Sequence, residues 1–131
     1  MRIDSVQQVQ DILNPLLRER AGLGRRPGTS EFVAFLDGLE VGLLVFEHHP
    51  RSSTGVIYEI NVLEEFRGKG VGQALLDYAE SLARGDGYVH LRLMPRSLDR
   101  EFISHQALAS WYGKNGFRPD GNSSIWMKKS L

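Results

Sequence analysis

Apolar positions recur along this chain in changing rhythms, and each rhythm predicts an element. From residue 5 to residue 20, Val6, Val9, Ile12, Leu13, Leu16 and Leu17 fall at helical spacing. An amphipathic helix is expected there, capped by Asp4 or Ser5 and bent or split at Pro15. Residues 21–30, rich in glycine and arginine and carrying Pro27, read as a loop. Apolar runs at 32–36 and 41–46 flank Asp37-Gly38, a pair that tolerates the positive φ of a tight hairpin turn. After a loop over 50–55, the run 56–63 predicts a buried strand, and 71–83 returns to helical spacing before Gly85-Asp86-Gly87 ends it. A strand over 89–94 stops at Pro95, a third helix spans 104–115 and closes at Gly116, and 124–129 is a last strand. This succession describes an α/β (α+β) fold, with helices flanking one mixed, mostly antiparallel sheet. Its centre is a parallel strand-helix-strand unit over 56–94 with a right-handed crossover.

Between the central strand and its helix lies Arg67-Gly68-Lys69-Gly70-Val71-Gly72. Glycines at a strand-to-helix turn let a ligand approach the backbone, and the first amides of the helix are free to bind phosphate oxygens. In parallel units ligands sit at the carboxyl ends of strands, where this turn lies. The turn reads as an anion cradle. It is not a Walker loop, because Lys69 falls inside the glycine cluster and no Ser or Thr follows to hold magnesium. The glycine spacing is also too compact for a dinucleotide fingerprint.

Composition narrows the field further. With 131 residues, 41% of them hydrophobic, the chain fits one domain over 1–131 that holds a core without staples. The absence of cysteine removes disulfides, thiolate metal sites and thiol nucleophiles. Sixteen basic residues balance sixteen acidic ones, so the chain lacks the electrostatic footprint of a nucleic-acid binder. No apolar run has membrane length and the first residues do not form a secretory signal, so no membrane partner is expected and the expected location is the cytoplasm. His48 and His49 are adjacent and point to opposite faces of a strand end, which argues against a shared metal site. No metal is predicted.

The segment 62–76, Val62-Leu63-Glu64-Glu65-Phe66-Arg67-Gly68-Lys69-Gly70-Val71-Gly72-Gln73-Ala74-Leu75-Leu76, resembles the acetyl-CoA motif of the GNAT acetyltransferase superfamily. Some forty residues on, Trp111-Tyr112-Gly113-Lys114-Asn115-Gly116-Phe117 is similar to the family's second signature, a helical tyrosine five residues before the phenylalanine of a Gly-Phe pair. The resemblance covers residues 32–131. It implies transfer of an acetyl group from acetyl-CoA to an amine, with 56–84 as the cofactor-binding strand-turn-helix and 1–30 as a variable N-terminal helix and loop. The diphosphate is assigned to the amides of Arg67, Gly68, Lys69, Gly70, Val71 and Gly72, with Gln73 next in the helix and with charge added by Arg67 and Lys69. In the family the central strand splays from its neighbour and pairs with the pantetheine arm; by position those backbone groups belong to Asn61, Val62 and Leu63. The Val62 side chain itself reads as core. His105 stands where the family often has an asparagine that touches the cofactor; a partly exposed histidine at a helix start is the competing reading.

Under this resemblance Tyr112 is the candidate general acid. When an amine attacks a thioester, collapse of the tetrahedral intermediate expels a thiolate, which a phenol within reach can protonate. The simpler alternative is a tyrosine that packs its ring and leaves its hydroxyl at the surface. Trp111 and Phe117 read as core. The acceptor must lose a proton before attacking, and Glu59, an acid among Ile57, Tyr58, Ile60 and Val62, is the leading base. A salt-bridged carboxylate is the alternative for Glu59, and Asn61 holding a water, or His90, are alternatives for the base. Residues 96–103 form a long connection expected to help build the acceptor pocket, with the first helix and 18–27 as its opposite wall. Only residues 1–3 are left to supply the family's first strand. Two other classes remain open, an acyl-CoA sensor and an interaction module on the same fold. The acceptor amine, small molecule or protein, is not specified by the sequence, and exposed strand edges suit a monomer or a homodimer.

Overall fold

The predicted hairpin forms two adjacent inner strands of the sheet. In the computed structural model, which describes residues 1–122 and 125–131, β2 (Thr29–Leu36) and β3 (Leu39–His49) meet at Asp37 and Gly38, with φ of 52° and 79°. β3 pairs antiparallel with β4 (Thr54–Val62), and the chain crosses through α2 (Val71–Gly85) to β5 (His90–Leu93), parallel to β4. Beyond β5 lie β7 (Met127–Ser130) and the short β6 (Arg118–Pro119), while β1 (Arg2–Val6) closes the other edge. The order is β1-β2-β3-β4-β5-β7-β6, a mixed sheet whose other pairings are antiparallel. α2 covers one face over Phe32, Leu44, Phe46 and Ile57; Tyr112 of α3 (His105–Lys114) and Phe117 join the same cluster. α1 (Pro15–Gly24) covers the other face over Val33, Leu43 and Val45. No helix among the described residues is long and apolar enough to cross a membrane.

The N-terminal third departs from its periodicity. Instead of a helix over 5–20 there are β1, a 3-10 turn at Val9–Asp11, and α1, which starts at Pro15 and reaches into the expected loop as far as Gly24. Pro15 occupies the first helical position, where its missing N–H costs nothing, and the Asn14 side chain accepts a hydrogen bond from Leu17 N at 3.0 Å. Val6, Val9 and Ile12 do pack with Leu17, but from a strand and a turn. All of β1, rather than residues 1–3 alone, pairs with β2. At the other end, β6 has no counterpart in the periodicity, and the expected strand start at Ser124 lies outside the described residues.

Two irregularities in β4 shape the site. Val45 pairs with Glu59 and Phe46 with Ile57, so Tyr58 is an extra, bulged residue. Ile57 and Ile60 pack toward α2, while Tyr58 and Glu59 both turn toward α1. Further on, β5 pairs with β4 only from Thr54 to Ile57. Past Ile57 the two strands part and leave a gap.

Candidate active site

The gap between β4 and β5 opens into a cavity of about 960 Å³. The glycine turn lies at one end. Gly68 and Gly70 hold φ of 76° and 83°, a conformation that other L-residues adopt at a cost. Gly70 is the N-cap of α2, whose ladder begins with Ala74 N donating to Gly70 O at 3.0 Å. Among the described residues nothing accepts from the amides of residues 68–73, and Gly68, Gly70, Val71, Gly72 and Gln73 all line the cavity. Free amides at the positive end of a fifteen-residue helix form a site for phosphate.

Which strand groups face the gap follows from the ladder. Leu63 N donates to Val41 O at 2.9 Å, and alternation then aims the backbone of Asn61 at β3 and that of Ile60 and Val62 into the gap. The Leu63 carbonyl accepts from Phe66 N at 2.9 Å, and its side chain is buried beside α1. The edge expected at Asn61, Val62 and Leu63 is therefore presented by Ile60 and Val62, because the register fixes the parity. The Val62 carbonyl accepts from Arg67 Nε at 3.3 Å. Asn61 lines the cavity through its side chain, with Nδ2 3.4 Å from Glu59 Oε2.

Tyr112 is 6% exposed, packs edge-on against Trp111 and Phe117, and lines the cavity. Burial pushes its hydroxyl well above the ordinary phenol range. It stays protonated at neutral pH and can give a proton. Glu59, 6% exposed, also lines the cavity. Arg20 clamps it through Nε to Oε2 at 2.9 Å and its terminal nitrogen to Oε1 at 2.6 Å, and this hydrogen bonding raises the Arg20 pKa despite partial burial. Glu59 is thus the salt-bridged carboxylate and a cavity wall at once.

Other expected residues lie elsewhere. Lys69 is exposed, with Nζ 5.9 Å from the centre of the Phe66 ring, outside the cavity lining. His105 is also outside the lining; its Nδ1 accepts from Ser97 N at 2.7 Å and pins the 96–103 connection. His90 pairs with Thr54 at the far end of β4, distant from the cradle. Trp111, expected as core, is a half-buried wall of the cavity, whereas Phe117 is core. Residues 96–103 do border the cavity, through Arg96, Ser97, Leu98, Asp99, Phe102 and Ile103. Asp99 bonds Arg67 at 2.6 Å, and Phe102 stacks 4.9 Å from its guanidinium. The Arg67 bond holds the Asp99 carboxyl below its usual range. Arg26, Arg92 and Trp126 line the opposite end and escaped the sequence reading, although Arg26 falls within the predicted wall 18–27.

Comparison with known proteins places this geometry. The matching family model, described as an acetyltransferase (GNAT) domain, spans residues 27–119. An uncharacterized N-acetyltransferase of Staphylococcus haemolyticus is 28% identical over 75 residues, 56% of this chain and 46% of that protein, so the match spans about half of the curated relative. Among solved structures, an IAA acetyltransferase from Bacillus cereus ATCC 14579 is 25% identical with a TM-score of 0.74, covering 99% of both chains. A GNAT family acetyltransferase from Elizabethkingia anophelis with acetyl-CoA bound shares the fold at 19% identity and a TM-score of 0.67, over 99% of this chain and 97% of that one. With the splayed strand, the glycine cradle and the buried tyrosine already in place, a family match over most of its length means that this chain belongs to the GNAT acetyltransferases.

Proposed function

We propose that this protein transfers an acetyl group from acetyl-CoA to an amine by direct attack in a ternary complex. The observation that carries the reading is one continuous cavity with free helix-N-terminal amides at one end and Tyr112 in its wall. The diphosphate rests on the amides of residues 68–73, with Arg67 exchanging Asp99 for phosphate oxygens. The pantetheine arm pairs with the backbone of Ile60 and Val62 as an added strand. This aims the thioester past Tyr112 toward Glu59.

Glu59, fixed by Arg20, draws in the ammonium form of the acceptor and takes its proton through a water shared with Asn61. The amine lone pair forms the N–C bond to the thioester carbon, and the C–S bond breaks as Tyr112 gives its proton to the leaving sulfur. The proton shed by the acylated nitrogen returns through solvent to the Tyr112 oxygen, while the one held by Glu59 passes to bulk water. Products are the N-acetylated amine and free coenzyme A. Thiol release over an amine panel tests the reading. Tyr112→Phe is expected to abolish most of that release while coenzyme A still raises the melting temperature; undiminished release rejects Tyr112 as the acid.

A further inference from the structure

The end of the cavity away from the cradle has a composition that bears on the acceptor, given the transferase reading above. By register, Val56 of β4 stands between Glu47 of β3 and Arg92 of β5, and Thr54, two residues earlier, pairs with His49 of β3. These residues, with Arg26, Tyr58 and Trp126, line the cavity. Each carboxylate here is already matched. Arg20 holds Glu59, Arg26 holds Glu47, and Asp120 takes Arg92 at 2.7 Å and Lys128 at 3.6 Å. Beyond Glu59, which faces the reacting nitrogen, no acid is left over for the further ammonium groups of a polycation.

Cations, in contrast, are in surplus. Arg96 lines the cavity without a carboxylate partner among the described residues. Arg92 commits only Nε to Asp120, so its two terminal nitrogens have no partner among the described residues. Its Cζ lies 4.5 Å from the Trp126 ring centre, over the face of the indole. A guanidinium oriented by a carboxylate on one edge and backed by an indole presents a fixed fork, the geometry that recognises a carboxylate by two parallel hydrogen bonds. Val56, the neighbour of Arg92 in register, is three residues from Glu59, roughly 10 Å along a strand. The arginine side chain spans part of that distance, which leaves room for a molecule of amino-acid size.

We infer that the acceptor is a primary amine that also carries a carboxylate, of about amino-acid size, and that Arg92 holds the carboxylate while the nitrogen faces Glu59. Arg92 is then a specificity determinant, and Asp120 and Trp126 position it.

Matched pairs test this directly: phenylalanine against phenethylamine, tryptophan against tryptamine, with spermidine as a polycation. In the thiol-release assay the carboxylate-bearing member is expected to have a kcat/KM at least about tenfold higher, as a charge-assisted contact implies. That ratio should collapse in Arg92→Gln, recover only partly in Arg92→Lys, and fall in Asp120→Asn through KM rather than kcat. Preference of the wild type for the decarboxylated members or spermidine, or an unchanged ratio in Arg92→Gln, overturns the inference. Stabilisation by coenzyme A, measured for every variant, reports folding, and its absence in the wild type counts against the transferase reading instead. If no pair turns over, N-acetylphenylalanine and N-acetylphenethylamine are compared by thermal shift with coenzyme A. Stabilisation by the acid alone supports the inference, and equal or no stabilisation rejects it.

Discussion

The two ends of the cavity are built on different principles. The cradle end is backbone: contiguous amides of residues 68–73, presented by two glycines at positive φ and by the start of α2. The far end is side chains drawn from the loop after α1, β3, β4, β5 and the approach to β7, held in place by ion pairs between residues 39 and 28 positions apart in the chain. A backbone site binds what every member of a cofactor class shares. A side-chain site can be rewritten one residue at a time without disturbing it, so the comparison teaches where generality and specificity reside in this fold.

If the ends are separable, damage to one should leave the other's affinity intact, and the reacting centre between them should be the most sensitive point. Tyr112→Phe is expected to lower kcat about 100- to 10,000-fold with the Kd for coenzyme A within about twofold of wild type by titration calorimetry. Glu59→Gln should cost about 100-fold in kcat/KM near neutral pH, and the deficit should shrink as pH rises, because the free amine then needs no base; a deficit constant across the pH profile argues against that role. Gly70→Ala puts a Cβ at φ 83°, a strain of about 1–2 kcal/mol. It should weaken coenzyme A binding about five- to thirtyfold without altering the acceptor KM, and an equal change in both constants would break the separation. Asp99→Asn, which frees Arg67 from a half-buried pair, should tighten coenzyme A by no more than about fivefold, and the gain should fade at high salt.

A further check concerns stability. Tyr112 has its pKa raised by burial above the ordinary value of 10.0. The folded state therefore binds that proton more tightly than the unfolded chain, and the contribution is complete below about pH 10 and lost as pH rises beyond it. Melting curves from pH 8 to 11 should show a decline above pH 10 that is smaller in Tyr112→Phe.

The same contrast explains how much could be read from residues alone. The hairpin, the β4-α2-β5 unit, α3 and the cradle are local, each fixed by neighbours in sequence, and the periodicity finds them. Val6, Val9 and Ile12 kept a helical rhythm because all three pack on the same sheet face as Leu17. Pairing of β1 with β2, a long-range event, decided their backbone instead. Tyr112 was accessible through a motif with local spacing. Arg20, Arg92 and Asp99 were not, because their roles depend on partners that only the folded chain brings near. The backbone groups facing the gap were misplaced by one position, at Asn61 and Leu63 rather than Ile60, since pairing with β3 sets parity and no sequence pattern marks it.

The account rests on the amides of residues 68–73 receiving the diphosphate, so that the thioester reaches Tyr112. A crystal structure of the protein with acetyl-CoA measures this directly. The prediction is phosphate oxygens about 3 Å from those amides, pantetheine bonded to Ile60 and Val62, and sulfur within about 3–4 Å of the Tyr112 hydroxyl. A diphosphate bound elsewhere, or a sulfur turned away from that hydroxyl, would contradict it.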